Sequence, residues 1–331
     1  MHDAGKAFRE FSVGATLVRV ISDCVEDIEV VVEAERLVIG RYLARGLLQQ
    51  EAVTLFVLEN LAPLVGQLRQ LHGLGEPEAL QLPQRPMVNL YDLRRRRECF
   101  VFVNRQVMLA EGYWGDALAV EGLLAHEHAH PMAECVASDA ARGLKIVAKA
   151  PAEVAPALAR LGETLSAGAV SELFANDICI ANGFDAAMTH LDRITIERAA
   201  ANLCQRQELR RQLSTALAAG TMSPATERQL LRIADAETTL IFALELAPFI
   251  RTGRAAQGAE IETILRQRIM ASLDKEIGEM FFALNNLYLR PLPDWTSEQL
   301  LPWCDEVLAL LSAGLGGDEN AVALYRAGDM P

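Results

Sequence analysis

Asp116-Ala117-Leu118-Ala119-Val120-Glu121-Gly122-Leu123-Leu124-Ala125-His126-Glu127-His128-Ala129-His130 decides how the rest of the chain is read. Ala, Leu and Glu are strong helix formers and Asp116 is a good N-cap, so the stretch reads as a helix. On a helix His126 and His130 stand one turn apart on one face, where both imidazoles reach a single ion. Glu127 lies about 100° round from His126, close enough to take a proton from water beside the ion without binding it. His128 lies about 200° round, on the stripe of Glu121 and Leu124, and reads as a packed or solvated residue. The pattern is H-E-x-x-H, in which two histidines bind zinc and the glutamate handles protons. A strand would instead put His126, His128 and His130 on one face, and the Leu- and Ala-rich lead-in argues against that. Glu127-x-x-His130 is also half of a di-iron carboxylate motif, but the chain has no second E-x-x-H.

Upstream, Met87–Tyr91 and Cys99–Val103 are short runs rich in Val, Phe and Tyr, separated by Asp92–Arg97; they read as paired strands. The Arg94–Arg97 run reads as a solvated hairpin turn. If functional, it would draw an acidic peptide to the neighbouring strand edge, where a substrate adds as an extra strand. Helix breakers between Gly73 and Pro86 mark the clearest boundary in the chain. From Ile28 to Leu71 apolar residues recur at three- and four-residue intervals, broken around Gly46 to Gln50, which predicts two amphipathic helices.

Downstream, two carboxylates compete to be the third ligand. Glu134 is one turn beyond His130, but Pro131 intervenes and should kink or end the helix. Glu172, in Ser171-Glu172-Leu173-Phe174-Ala175-Asn176-Asp177, sits on a helical segment with enough chain before it to return against the histidines, and is preferred. His190 and Tyr113 are candidate oxyanion donors, but read more simply as a helix-surface histidine and a loop aromatic. Beyond Leu191 the chain reads as helices over roughly 193–218, 224–251, 257–289 and 297–314 by their 3.6-residue periodicity. The segments expected are an N-terminal helical region (1–80), a metal-binding core (81–190) and a C-terminal helical bundle (191–331). The fold class is α+β, mostly α, with a small sheet.

Composition excludes several classes. The 331 residues are 51% hydrophobic with a net charge of −13, a globular balance that repels a polyanion, so nucleic acid is not expected as a partner. No G-x-G-x-x-G, G-x-x-x-x-G-K-[ST] or G-x-S-x-G occurs, which removes the commonest nucleotide-binding and serine-hydrolase readings. Met1–Gly14 lacks a basic segment leading into an apolar one, so a cytoplasmic protein is expected. The apolar run Thr239–Ile250 is too short to span a bilayer and contains Glu245. The six cysteines, Cys24, Cys99, Cys135, Cys179, Cys204 and Cys304, have no C-x-x-C spacing and read as reduced, mostly buried thiols.

Phe102-Val103-Asn104-Arg105-Gln106-Val107-Met108 followed by Gly122-Leu123-Leu124-Ala125-His126-Glu127-His128-Ala129-His130 resembles the strand, loop and active-site helix of gluzincin metallopeptidases, in particular the CAAX prenyl endopeptidase and heat-shock-type peptidase family. Glu172-Leu173-Phe174-Ala175-Asn176, with Gly183-Phe184-Asp185 after it, is similar to that family's second motif, E-x-x-A-D. The resemblance covers about residues 86–190. It implies zinc on His126, His130 and Glu172, with Glu127 as general base and Asn176 where the family places an Asp beside the ligands. The family's membrane helices have no counterpart in the sequence, so the expectation is a catalytic core that hydrolyses peptide or protein substrates. Two other expectations compete: a regulator that cleaves one specific partner, and a catalytically silent helical interaction protein with a degenerate site.

Overall fold

The computed structural model describes residues 7–24, 28–48, 50–91, 97–316 and 322–328. It is a mostly helical α+β protein, as the sequence predicts. Strands β1 (Ala7–Val13) and β2 (Thr16–Ser22) form a hairpin, and α1 (Ile28–Ala44) leads to β3 (Ala52–Leu58). Helices α2 (Val65–His72) and α3 (Glu76–Gln81) precede β4 (Met87–Tyr91) and β5 (Glu98–Asn104). Next come α4 (Arg105–Glu111), α5 (Ala117–Ala129), α6 (Val136–Ala141), β6 (Ile146–Lys149) and α7 (Ala155–Leu165). Helices α8 (Ala167–Cys179), α9 (Asp185–Asn202), α10 (Arg206–Ala218), α11 (Pro224–Leu240) and α12 (Ala243–Arg251) follow. The chain ends with α13 (Ala255–Arg268), α14 (Lys275–Tyr288), α15 (Ser297–Leu315) and β7 (Ala323–Arg326).

Of the two helices expected between Ile28 and Leu71, α1 forms. The second is replaced by β3 and the shorter α2. Ala52-Val53-Thr54-Leu55-Phe56-Val57-Leu58 is β-branched and aromatic, and its apolar spacing fits either period. Pairing decides the outcome: β3 lies parallel to both β2 and β5, which buries Val53, Leu55 and Val57 completely. The N-terminal hairpin is also absent from the sequence reading. Its two-residue turn relies on Gly14 at φ 58°, the backbone such a hairpin requires. Residues 1–80 therefore contribute three strands to a sheet as well as the helices α1, α2 and α3.

The chain groups into two units, residues 1–132 with 178–194 and residues 133–177 with 195–331. These cut across the three consecutive segments expected from the breakers. The first unit is built on a five-stranded mixed sheet in the order β1-β2-β3-β5-β4. Strands β4 and β5 pair antiparallel, as predicted from their sequence. On one face Phe102, Val88 and Leu90 join Leu61, Leu68 and Leu82 in an apolar cluster. Residues of opposite parity, such as Cys99, Val101 and Val103, are buried on the other face, where the Cys99 thiol meets His128 of α5.

In the second unit β6 and β7 form a two-stranded antiparallel sheet, each strand too short for alternation to show in the sequence. The helices enclose Trp303, Tyr288, Phe281, Phe242 and Phe249. Tyr288 donates to Leu165 O at 2.7 Å and Trp303 Nε1 to Leu287 O at 2.9 Å, so both polar tips are satisfied inside an apolar core. The expected helices at 193–218, 224–251 and 257–289 are each broken, near residues 203–205, 241–242 and 269–274. None of these breaks carries Gly or Pro, so periodicity alone runs through them. Among the described residues no helix is long and apolar enough to cross a membrane.

Candidate metal centre

Helix α5 begins as its sequence dictates. Asp116 Oδ1 accepts from Leu118 N and Ala119 N, both at 3.0 Å, and Asp116 Oδ2 takes His190 Nε2 at 2.8 Å. Burial opposes the Asp116 charge, but the bonds from His190 and the Ala119 amide prevail and hold the carboxyl below its ordinary pKa. His190 thus braces the helix start. Tyr113, the other oxyanion candidate, is buried. Halfway along α5, a Cβ on Gly122 would lie 3.1 Å from Ala187 O, so glycine lets α9 close on this face.

Polar contacts from Tyr42, Glu35 and Asn89 fix the end of α5 that carries the histidines. Tyr42 of α1 donates to Ala125 O at 2.9 Å. Glu35, also of α1, presents its carboxylate oxygens to His128 Nε2 at 2.9 and 3.0 Å, and both side chains are fully buried. Burial alone would depress the His128 pKa, but the Glu35 charge outweighs it and holds the imidazole well above its ordinary range. On the sheet side, Asn89 of β4 donates from its backbone N–H to Glu127 Oε2 at 2.8 Å and from Nδ2 to Glu127 O at 2.9 Å.

His126 lies in the last turn of α5. His130 follows with helical backbone angles, φ −52° and ψ −51°, before Pro131 turns the chain into a short 3-10 segment over His130–Met132. The proline ends the α-helix as expected, but too late to disturb the one-turn spacing. His126 Nε2 and His130 Nε2 are 3.0 Å apart. Glu172 stands midway along α8, the helix that runs on to Cys179. One nitrogen from each histidine and one Glu172 carboxylate oxygen all lie within 4.8 Å of one another, and the three residues are half-buried. This group can hold a metal ion. Two imidazole nitrogens on one tetrahedral ion at about 2.0–2.1 Å stand roughly 3.3–3.4 Å apart, so the observed 3.0 Å requires an adjustment of a few tenths of an ångström. Among the described residues no other three His, Cys, Asp or Glu side chains converge in this way.

The remaining sequence candidates fall as follows. Glu134 forms an ion pair with Arg142 and is not part of the convergent group. Asn176, expected beside the ligands, is buried, and its amide donates to Leu244 O at 3.2 Å and Glu245 Oε2 at 3.0 Å. An Asp there would face a second carboxylate, which accounts for the amide at this position. Asp177 accepts from Arg251 Nε at 2.8 Å; burial raises its pKa while Arg251 opposes the rise. Of the Arg94–Arg97 run, residues 94–96 lie outside the described residues, and Arg97 pairs with Glu51 at 3.1 Å. Cys24, Cys99, Cys135, Cys179 and Cys304 are free thiols, all buried except the half-buried Cys135; the Cys204 side chain lies outside the described set.

Sequence reasoning did not single out Glu35, Tyr42 or Asn89. A signal existed for two of them: Glu35 falls on the buried stripe Val31, Val32, Val38, Ile39 and Tyr42 of α1, and Asn89 interrupts an otherwise apolar strand. Compared with known proteins, the chain matches no protein-family model, no curated protein and no solved structure.

Proposed function

We propose that the protein is a zinc-dependent metallopeptidase that hydrolyses peptide bonds with water. The observation that carries this reading is the convergence of His126, His130 and Glu172, with Glu127 next to a ligand yet outside the ligand set. Two imidazoles and one carboxylate are a donor set suited to catalytic zinc, which keeps one position open. Bound there, zinc would supply Lewis acidity, polarising a carbonyl and lowering the pKa of a water to about 7.

The chain's own residues provide the rest. Glu127 has a carboxylate free of ligand duty, able to take a proton from the attacking water and pass it to the leaving amine. Strand β4 is the last strand of the five-stranded sheet and carries Asn89, whose N–H bonds the Glu127 carboxylate at 2.8 Å. The resemblance of the two motifs to gluzincin peptidases supports the same assignment. Asn176 lies one helical turn beyond Glu172 and would steady that helix through Leu244 and Glu245, without contributing charge.

The test is metal content under challenge. The purified chain is expected to carry about one zinc and to cleave unstructured peptides. Glu172→Ala should release zinc under mild chelation, Asn176→Ala should show a smaller defect through the loosened helix, and Glu134→Ala should behave as wild type. Wild-type protein that is metal-free when prepared without chelator sinks the proposal, and a zinc-replete Glu172→Ala beside a zinc-free Glu134→Ala overturns the ligand set.

A further inference from the structure

The hydrogen-bond parity of β4 sets Asn89 apart. Asn104 N donates to Pro86 O at 2.9 Å, and Val88 and Leu90 lie opposite Phe102 and Phe100 of β5. In an antiparallel pair the bonding residues alternate, so Pro86, Val88 and Leu90 face the ladder, while the main chain of Met87, Asn89 and Tyr91 faces the open edge. The outward Asn89 N–H is taken by Glu127 Oε2 at 2.8 Å. The Asn89 side chain lies on the α5 face of the sheet and donates Nδ2 to the Glu127 carbonyl at 2.9 Å. Asn is disfavoured in strands, and here it stands within Met87-Val88-Asn89-Leu90-Tyr91, 7% exposed, with Oδ1 buried and, among the described residues, unpaired. A half-satisfied buried amide destabilises a fold, and such violations mark positions retained for function.

We propose that Asn89 is a positioning residue for Glu127, gripping its carboxylate through the main chain and its backbone through the side chain. The inference rests on the reading of Glu127 as the base. Neither bond belongs to the β4–β5 ladder, so the sheet does not depend on them. Their effect falls on Glu127: a long, flexible side chain is held at one place beside the strand edge and loses little orientational freedom when it reacts. The backbone N–H requires only an extended residue, whereas the second bond requires a short side chain with a donor, which Asn supplies.

Amide hydrogen exchange on the full-length, zinc-loaded chain tests the grip without any substrate. The Asn89 amide is expected to exchange about tenfold or more slowly in wild type than in Glu127→Ala, with Val88 and Leu90 unchanged; equal Asn89 exchange in the two proteins overturns the proposal. Kinetics test the consequence. Asn89→Ala removes the side-chain bond, and Asn89→Pro also deletes the N–H at an edge position where proline leaves the ladder intact. Both should keep their zinc and lose about 10–100-fold in kcat, with KM within about twofold of wild type. A loss confined to KM or to metal content overturns the positioning role, and Asn89→Ala carries this arm if the proline variant does not fold. If wild type hydrolyses nothing, the peptidase reading falls, and the exchange measurement still decides whether Asn89 holds Glu127.

Discussion

Glu127→Gln is expected to keep the metal and to lose hydrolysis by about 10²–10⁴-fold, the range a positioned acid–base group contributes. The substitution is close to isosteric. The Gln oxygen can still accept from Asn89 N–H, which now bonds Glu127 Oε2 at 2.8 Å, so the side chain stays beside the strand. The three converging ligand residues His126, His130 and Glu172 are untouched. What is lost is the ability to bind a proton, because an amide is not a base at neutral pH. Elemental analysis beside a peptide-cleavage assay separates the two effects. A variant that cleaves as fast as wild type removes Glu127 from the chemistry, and one that loses the metal makes it a ligand, which contradicts the division of roles on which the reading stands.

The reach of the sequence follows from the range of the forces involved. Helix α5 was legible because every contribution is local: a capping Asp, strong helix formers, and a four-residue histidine spacing that the α-helical repeat turns into a shared face. The same periodicity placed His128 on the opposite side. Pro131 ends the α-helix, as its missing N–H requires, and Glu134 beyond it pairs with Arg142. Strand β3 differs from the helix its periodicity predicts because its apolar spacing satisfies two periods and the choice between them is made by β2 and β5, which lie elsewhere in the sequence. The β6–β7 pair is hidden because each strand has only four residues and the two lie far apart in the chain, at residues 146–149 and 323–326.

The supports of the site were the least legible part. A periodic pattern shows which way a side chain points, but not what it meets. Nothing in the local pattern ties Glu35 of α1 to His128, which by its own helix position reads only as a packed or solvated residue. Their pairing spans 93 positions and exists only once α1 lies against α5. Asn89 is similar: an Asn in an apolar strand is a visible anomaly, yet its partner Glu127 follows from β4 being the last strand of the sheet.

The Glu35–His128 pair carries the largest expected effect on stability. Replacing Glu35 with Leu should cost about 3–5 kcal/mol, the usual result of removing one member of a buried pair. Both side chains are fully buried, so no water can replace the lost carboxylate, and His128, held well above its ordinary pKa by the Glu35 charge, must either shed its proton or remain an unpaired buried cation. Either course destabilises the helix that carries His126 and His130. The double variant Glu35→Leu/His128→Leu should recover most of the loss, because a buried pair exchanged for apolar side chains of similar size is often neutral. Urea unfolding of wild type, both single variants and the double variant forms a closed cycle, which isolates the pair energy from packing changes. Singles and double that add without coupling would mean the pair contributes nothing beyond volume. A double variant as stable as wild type that still binds one zinc would show that the pair orients α5 only through packing, whereas a stable double variant with weakened zinc would show that the buried charges set the helix rotation that brings His126 and His130 together.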